Sequence, residues 1–279
     1  MSLLLAALLQ VGAAPNTQPA SPIPDELWEQ RRLNREAARE RENAASPSGN
    51  RLTECTALIG IDPAAARGEA GRWLETATLK QKSDAAQCLG MAEAELGQWE
   101  GAIAAFVRGR DMAVPGAFET RARLGTMAGN AQLATGDAAA ALATLEQADS
   151  DAGSAGADIL RGEIALDRAQ ALVALGRPEE AQSALTLART ALPHDPRAWL
   201  LSATLARRLD MLEAGQRFIE QAGLLAPTDP EIGLEAGVIA VLAGRSDSAR
   251  RSWNSVIEAA PDSPFAQTAR GYLAQLGEP

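Results

Sequence analysis

The segment Pro193–Pro230, PHDPRAWLLSATLARRLDMLEAGQRFIEQAGLLAPTDP, decides the fold. Two Asp-Pro pairs, Asp195-Pro196 and Asp229-Pro230, lie 34 residues apart in it. Aspartate is a favoured N-cap and proline a favoured first helical residue, so each pair predicts the start of a helix. Asp210 interrupts the alanine- and leucine-rich run between them and is typical of a turn. The segment therefore predicts a helix–turn–helix unit.

The spacing of 34 residues extends beyond this segment. Pro193, Pro227 and Pro261 follow it. Further columns with the same spacing are Ala169, Ala203 and Gly237; Gly176, Asp210 and Gly244; Ala181, Gly215 and Ala249; Leu185, Ile219 and Trp253; and Ala188, Ala222 and Val256. A fixed period of this length indicates repeated structural units. The chain lacks sustained period-two alternation and is poor in β-branched residues, so no strand is predicted.

These columns closely resemble the tetratricopeptide repeat family. The resemblance continues upstream through Leu89-Gly90 and Ala128-Gly129, with extra residues assigned to 114–116 and 150–158. It covers about 80% of the chain by the repeat spacing. It implies an all-α fold, a right-handed superhelical α-solenoid of about five repeats with partial units at both ends. The stretch Ser263–Leu276 supplies a first helix alone and is interpreted as a C-terminal capping helix.

The composition agrees with close-packed helices and excludes several kinds of enzyme. Sixty residues are alanine, which is the best helix former and is small enough to let helices approach closely. His194 is the single histidine, so a histidine-based zinc site has too few ligands. The sequence has neither a G-x-S-x-G nor a phosphate-binding G-x-x-x-x-G-K-[ST] motif. We therefore expect a non-enzymatic protein with no cofactor and no metal.

The charge argues against nucleic acid as a partner. The formal net charge is -10, and the most arginine-rich stretch, residues 31–42, is interleaved with glutamates. A chain that neutralises phosphates usually carries a basic stripe instead. The resemblance implies a different role, non-catalytic protein–protein interaction as a scaffold or adaptor for a protein or peptide partner.

The N-terminal residues differ from the rest. Residues 1–14 contain a short apolar run followed by small residues, which predicts a cleaved signal peptide and a periplasmic or secreted protein. Residues 15–50 are predicted to be a linker rich in proline and serine with one charged helix, and residues 51–279 to be the repeat domain. No second long apolar segment follows, so we expect no membrane insertion of the mature chain. The alternative is a cytoplasmic adaptor or regulator of an enzyme or assembly complex.

In the resembling family the first helix of each repeat lines a concave groove that binds partner segments. Carried over by repeat position, this implies a groove with an arginine pair, Arg207 and Arg208, in its middle. Either arginine is expected to pair with an acidic group of the partner, or else with local acids such as Asp210. The residues implied for the groove are Met91, Asn130, Leu166, Gln170, Leu200, Thr204, Arg207, Arg208, Leu234 and Val238.

The two cysteines, Cys55 and Cys88, lie 33 residues apart, almost one repeat. Equivalent residues of successive first helices face each other in a stack of helical hairpins, which would bring the two sulfurs together. Export to an oxidising compartment would then favour a disulfide bond. Two buried free thiols are the alternative.

Overall fold

The structure, a computed structural model, describes residues 47–276 and is entirely helical over that range. The predicted signal peptide and nearly all of the linker, with its charged helix, lie outside the described residues. In chain order the helices are α1 (Pro47–Ile59), α2 (Pro63–Thr76), α3 (Leu79–Glu95), α4 (Trp99–Asp111), α5 (Phe118–Ala134), α6 (Ala138–Ala155), α7 (Asp158–Ala174), α8 (Pro178–Ala191), α9 (Pro196–Arg208), α10 (Leu212–Leu225), α11 (Pro230–Leu242), α12 (Ser246–Ala259) and α13 (Pro264–Leu276).

The helices pack in consecutive pairs. Helix α1 shares a hydrophobic cluster with α2, and the extensive helix contacts join α3 to α4, α5 to α6, α7 to α8, α9 to α10 and α11 to α12. Each pair also contacts the pair that follows it. The part of the chain that the structure describes is thus a stack of six hairpins followed by α13, which confirms the predicted all-α solenoid.

The predicted start signals cap the helices. The carboxylates of Asp195 and Asp229 each accept a hydrogen bond from a backbone N–H two residues further along, at 2.8 and 2.9 Å. Asp62 and Asp137 cap α2 and α6 by accepting from the backbone N–H three residues further along. These bonds satisfy N–H groups that have no partner within the helix.

The turns inside the hairpins repeat one backbone conformation. The turn column holds Gly97, Gly136, Gly176 and Gly244, all with φ between 68° and 81°. Asp210 occupies the same column with φ 59°, the one non-glycine residue with a positive φ in the described range. Aspartate tolerates this conformation better than most residues, so the hairpin of α9 and α10 forms without glycine.

The two helices of a hairpin cross where a small residue meets a large one sixteen positions later. A Cβ atom added to Gly237 would lie 2.1 Å from Nε1 of Trp253, and one added to Gly90 would lie 2.5 Å from Phe106. Gly129 meets Leu145 in the same way at 2.6 Å. Equivalent crossings pair Ala169 with Leu185 and Ala203 with Ile219, and all four of these side chains are buried. The small residues are therefore required by the shape of their partners.

The extra residues assigned to 150–158 have a definite place in the structure. Most of them lengthen α6, which continues to Ala155. Ala152 on this extension is buried, and Asp151 forms a 3.2 Å ion pair with Arg121 of α5. Packing against neighbouring helices thus overrides the local turn-forming composition.

Helix α13 covers the end of the last hairpin, as predicted for a capping helix. Ala266 and Ala269 are fully buried, and Tyr272 packs on Trp253 with ring centroids 5.1 Å apart. Gly271 and Ala274 on its other face are exposed, although the residues 34 positions earlier are buried. Those earlier residues lie beneath the second helix of their hairpin, whereas α13 presents this face to solvent.

Candidate functional site

The first helices of successive hairpins line one side of the stack. Helix α3 contacts α5, and α5 contacts α7; further along, α9 contacts α11 and α11 contacts α13. Contacts of this kind place the first helices on the inside of the curvature. We call the solvent-facing residues of these helices the concave surface.

The structure places most of the implied groove residues on this surface. Asn130, Gln170 and Arg208 are exposed, and Met91, Thr204, Arg207, Leu234 and Val238 are partly exposed. Leu166 and Leu200 are different, with exposed fractions of 1% and 6%. They pack in the hydrophobic clusters between hairpins, so they support the surface without being part of it.

The arginine pair has two different environments. Nε of Arg207 donates to Oε1 of Glu235 on the next first helix at 2.7 Å, and both side chains are largely buried. This ion pair bridges α9 and α11 and holds both side chains in place. Arg208, one position later, is exposed and forms no ion pair with the part of the chain that the structure describes. The local acid that holds an arginine is thus Glu235, not Asp210.

A second polar contact crosses the surface between α5 and α7. Asp167 is only 8% exposed and accepts a side-chain hydrogen bond from Asn130. Burial raises the pKa of the Asp167 carboxyl to about 6, while Asn130 and the positive charge of Arg197 act in the opposite direction. This carboxyl is therefore poised to change its protonation state near neutral pH.

Sequence reasoning did not select Asp167 or Glu235, although a signal existed. Each directly follows an implied groove residue, Leu166 or Leu234, and the spacing between those two leucines is two repeats. The column after the leucines is therefore the one that reaches the neighbouring first helix.

Towards the C-terminal end the concave surface becomes apolar. Leu234, Val238 and Val241 of α11 pack partly buried beside Tyr272 and Leu276 of α13. Leu242 at the end of α11 is 55% exposed. The surface thus joins a polar region around α5 and α7 to an apolar region on α11 and α13, with Arg207, Glu235 and Arg208 between them.

Other kinds of site are not evident between residues 47 and 276. No group of three or more histidine, cysteine, aspartate or glutamate side chains is placed to hold a metal ion there. Nor does any helix of that range have the length and apolar character needed to cross a membrane.

Comparisons with known proteins agree with this geometry. The sequence model of the family described as tetratricopeptide repeat matches residues 162–205, which contain α8, most of α7 and the greater part of α9. This chain is a tetratricopeptide repeat (TPR) protein. Comparison of the TPR protein with curated sequences finds no significant match.

Solved structures share the fold at low sequence identity. PilW, a widely conserved type IV pilus biogenesis factor, matches with a TM-score of 0.66 and 16% identity, over 79% of this chain and 97% of PilW. Pseudomonas aeruginosa pilF matches with a TM-score of 0.64 and 13% identity, over 81% of this chain and 97% of pilF. YrrB, a TPR protein with an unusual peptide-binding site, gives 0.51 and 17%, over 72% and 97%. At these identities the likeness is one of fold.

The cysteines of the TPR protein lie on the first helices of its first two hairpins. Cys55 on α1 and Cys88 on α3 have their Cα atoms 6.1 Å apart and their sulfur atoms at bonding distance. That separation falls in the range usual for disulfide bonds. Both side chains are buried in the cluster that joins α1, α2 and α3, so a bond between them would fasten the first hairpin to the second.

Proposed function

We propose that this TPR protein is a non-catalytic scaffold that binds a segment of a partner protein on its concave surface. The observation that carries the proposal is the meeting of an apolar region and a fixed polar network on one surface. The TPR fold supports a role in protein interaction. The arrangement of Arg207, Glu235 and the neighbouring apolar residues supports a binding segment that has both apolar and charged side chains.

The surface suits a segment that lies across the first helices. Leu234, Val238 and Val241 are held in place by the hydrophobic cluster beneath them, so a partner would lose little free energy in ordering them. Apolar side chains of the partner would pack there, and its polar groups would meet Asn130 and Gln170. Such a division of apolar anchors and polar contacts is typical of peptide recognition.

Of the two arginines, Arg208 is the one that we expect to contact the partner. The guanidinium of Arg207 is already bound to Glu235, whereas that of Arg208 is exposed. An arginine can form two parallel hydrogen bonds with a carboxylate, so an acidic side chain of the partner is the expected contact. The charge reversal Arg208→Glu should therefore weaken binding, and it leaves the internal pair intact.

Site-specific photo-crosslinking in the native cell tests the surface. A photoreactive residue in place of Thr204 or Val238 should yield a crosslinked partner, and one in place of Asn254 on the second helix α12 should not. The crosslink at Thr204 should diminish when Arg208→Glu is added, and it should persist with Arg217→Glu, an exposed arginine of α10. Equal crosslinking from Asn254 and Thr204 would contradict the proposal.

We also propose that the protein acts in the cell envelope rather than in the cytoplasm. Two observations support this location: the apolar run within residues 1–14, and the bonding distance between Cys55 and Cys88. Cell fractionation with N-terminal sequencing tests it. We expect a periplasmic or secreted chain that starts close to residue 15. An uncleaved chain in the cytoplasm would favour the alternative, an adaptor that uses the same concave surface.

A further inference from the structure

Helix α8, the second helix of its hairpin, carries an arginine in an unusual setting. Arg189 of α8 lies against two aromatic rings, with its guanidinium carbon 4.4 Å from the ring centre of Phe218 and 5.7 Å from that of Trp199. Its Nη1 donates to the hydroxyl of Ser202, and its Nη2 donates to Oγ1 of Thr186 at 3.1 Å. We call these five residues the Arg189 site. It lies between α8, α9 and α10 and includes none of the groove residues discussed above.

The rings and hydroxyls hold the guanidinium in a defined position. Trp199 is fixed because its Nε1 donates to the carbonyl of Pro193 at 3.0 Å, and its ring centre lies 6.2 Å from that of Phe218. Ser202 is buried and its hydroxyl donates to the carbonyl of Ala198. Cation–π contact and two hydrogen bonds thus orient the arginine without neutralising its charge.

The contact between α6 and α7, one repeat earlier, shows that the Arg189 site between α8 and α9 lacks an ion pair. The positions of Arg189 and Ser202 are equivalent, by repeat column, to those of Asp149 and Arg168. Asp149 there forms ion pairs with both Arg168 and Arg161, at 3.3 and 2.9 Å. At the Arg189 site the cation occupies the column of Asp149 and meets a serine instead of an oppositely charged side chain. No carboxylate within the described residues forms an ion pair with it.

A guanidinium that is partly buried without a carboxylate partner raises the free energy of the folded protein. Loss of hydration lowers the pKa of the Arg189 guanidinium below its ordinary value, with no nearby carboxylate acting to raise it. A charge that is taken out of water is normally paired. Of the five N–H donors of the guanidinium, two are used, so others remain for a ligand.

A small cavity opens beside the guanidinium. Its volume of about 10 Å³ is room for one water-sized group, such as a single carboxylate oxygen. Arg189, Ser202 and Phe218 line it together with Leu209, which is exposed at its rim. The cavity therefore combines a positive charge and a hydroxyl with an apolar edge.

We propose that the Arg189 site is a second protein-binding site, which receives the carboxylate of an aspartate or glutamate side chain that has a large apolar neighbour in a partner polypeptide. The carboxylate binds the free N–H groups of Arg189, and the apolar neighbour packs on Leu209 and Phe218. None of its five residues belongs to the groove residues named above, so variants can change the two sites separately.

A displayed library of random dodecapeptides, selected on the purified full chain, provides the probe. Selected peptides that bind here should share an acidic residue next to a large apolar one. Their affinity, measured by fluorescence anisotropy, should fall at least about tenfold with Arg189→Gln, the loss expected for hydrogen bonds to a charged group. Replacing the acidic residue of the peptide by its amide should cause a similar loss, and the two changes together should add little to either alone.

Matched variants separate this site from the concave surface and from misfolding. Arg208→Gln removes an exposed arginine of the concave surface and should leave these peptides bound, while Arg189→Lys, which keeps the charge but not the planar fork, should still weaken them. Circular dichroism melting checks that each variant folds, and Ser202→Ala provides a second variant with Arg189 retained. The proposal is overturned if no acidic peptide is selected. It is equally overturned if the acidic peptides bind Arg189→Gln as well as the wild type, or if changing their carboxylate to the amide has no effect.

Discussion

Gly237 has no side chain because Trp253 occupies the space that one would need. A Cβ atom at this position would lie 2.1 Å from Nε1 of the indole and 2.5 Å from Cδ1. The indole is fixed in turn, since its Nε1 donates to the carbonyl of Leu234 at 3.2 Å and its ring packs at a tilted angle against that of Tyr272. A single atom at Gly237 would therefore disturb the contact between α11, α12 and α13.

We expect Gly237→Ala to destabilise the protein by about 1–2 kcal/mol, because the cost of overpacking exceeds the gain in helix propensity. Gly71→Ala is the matched control. A Cβ atom at Gly71 in α2 would meet no atom within 4 Å, so this change should stabilise the protein by up to about 1 kcal/mol. Urea denaturation of the two variants should give shifts of opposite sign. A stabilising effect of Gly237→Ala would show that the indole moves freely.

Asp167 links the stability of the protein to pH. Its pKa in the folded state is raised from 3.8 to about 6, chiefly by burial. In the unfolded chain this carboxyl is already ionised at pH 5, whereas in the folded chain it still holds its proton. The stability that it contributes is therefore complete below about pH 4 and is lost as the pH rises through about 6.

Asp167→Asn keeps the shape and mimics the protonated form, so it should not show this loss. Measured by urea denaturation, the stability of the variant relative to wild type should increase by about 2–3 kcal/mol between pH 4 and pH 7. Asp262→Asn, at an exposed position between α12 and α13, removes one carboxylate without changing the interior. A stability difference for Asp167→Asn that does not change with pH would contradict the assigned role of burial.

At the scale of elements, the first hairpin depends on its attachment to the second. The cluster around α1 and α2 includes Trp73, Ala66 and Ala70, and it reaches α3 through Ala85 and Cys88. The pair of Cys55 and Cys88 joins α1 directly to α3, with 33 residues of separation in sequence. In the chain-entropy account a link across a loop of this length stabilises the folded state by about 3–4 kcal/mol.

We expect the oxidised protein to show no free thiol when it is denatured without a reductant. Reduction, or the double change Cys55→Ser and Cys88→Ser, should speed hydrogen exchange in α1 and α2 while leaving α9–α12 unchanged, because each hairpin contacts its neighbours alone. Mass spectrometry of peptides from the two regions makes the comparison. Two titratable thiols in the denatured, unreduced protein would show that the cysteines are free.

Helix positions in the repeats could be predicted from the sequence, but the surface of the stack could not be predicted completely. N-cap aspartates and the turn column act locally, so Asp195, Asp229 and Gly176 gave correct boundaries. Burial of Leu166 and Leu200 depends on how far one hairpin rotates relative to the next, which a repeat column does not record. The partners of Arg207 and Asp167 lie on neighbouring first helices and depend on the same rotation.

For the stack as a whole, the free energy of unfolding is the sum of the contributions of the single hairpins and of the contacts between neighbouring hairpins. The hydrophobic clusters follow this order along the chain, each made of two or three consecutive hairpins. Disturbance of one end should therefore spread gradually through the stack instead of unfolding it at once. The concave surface around Arg208 lies nearer the C-terminal end, so it depends more on α13 than on α1.

Removal of α13 by truncation after Ala260 tests this linear arrangement. The truncation would uncover Trp253, Val256 and Ala240, which α13 now helps to bury. We expect faster hydrogen exchange in α11 and α12, little change in α3 and α4, and weaker partner binding at Val238. Loss of these contacts exposes a contiguous apolar patch, so we also expect self-association in size-exclusion chromatography. A matched variant that keeps α13 and replaces its exposed Gln267 by glutamate should behave as the full chain does. Equal acceleration of exchange from α3 to α12 would show instead that the hairpins unfold as one cooperative unit.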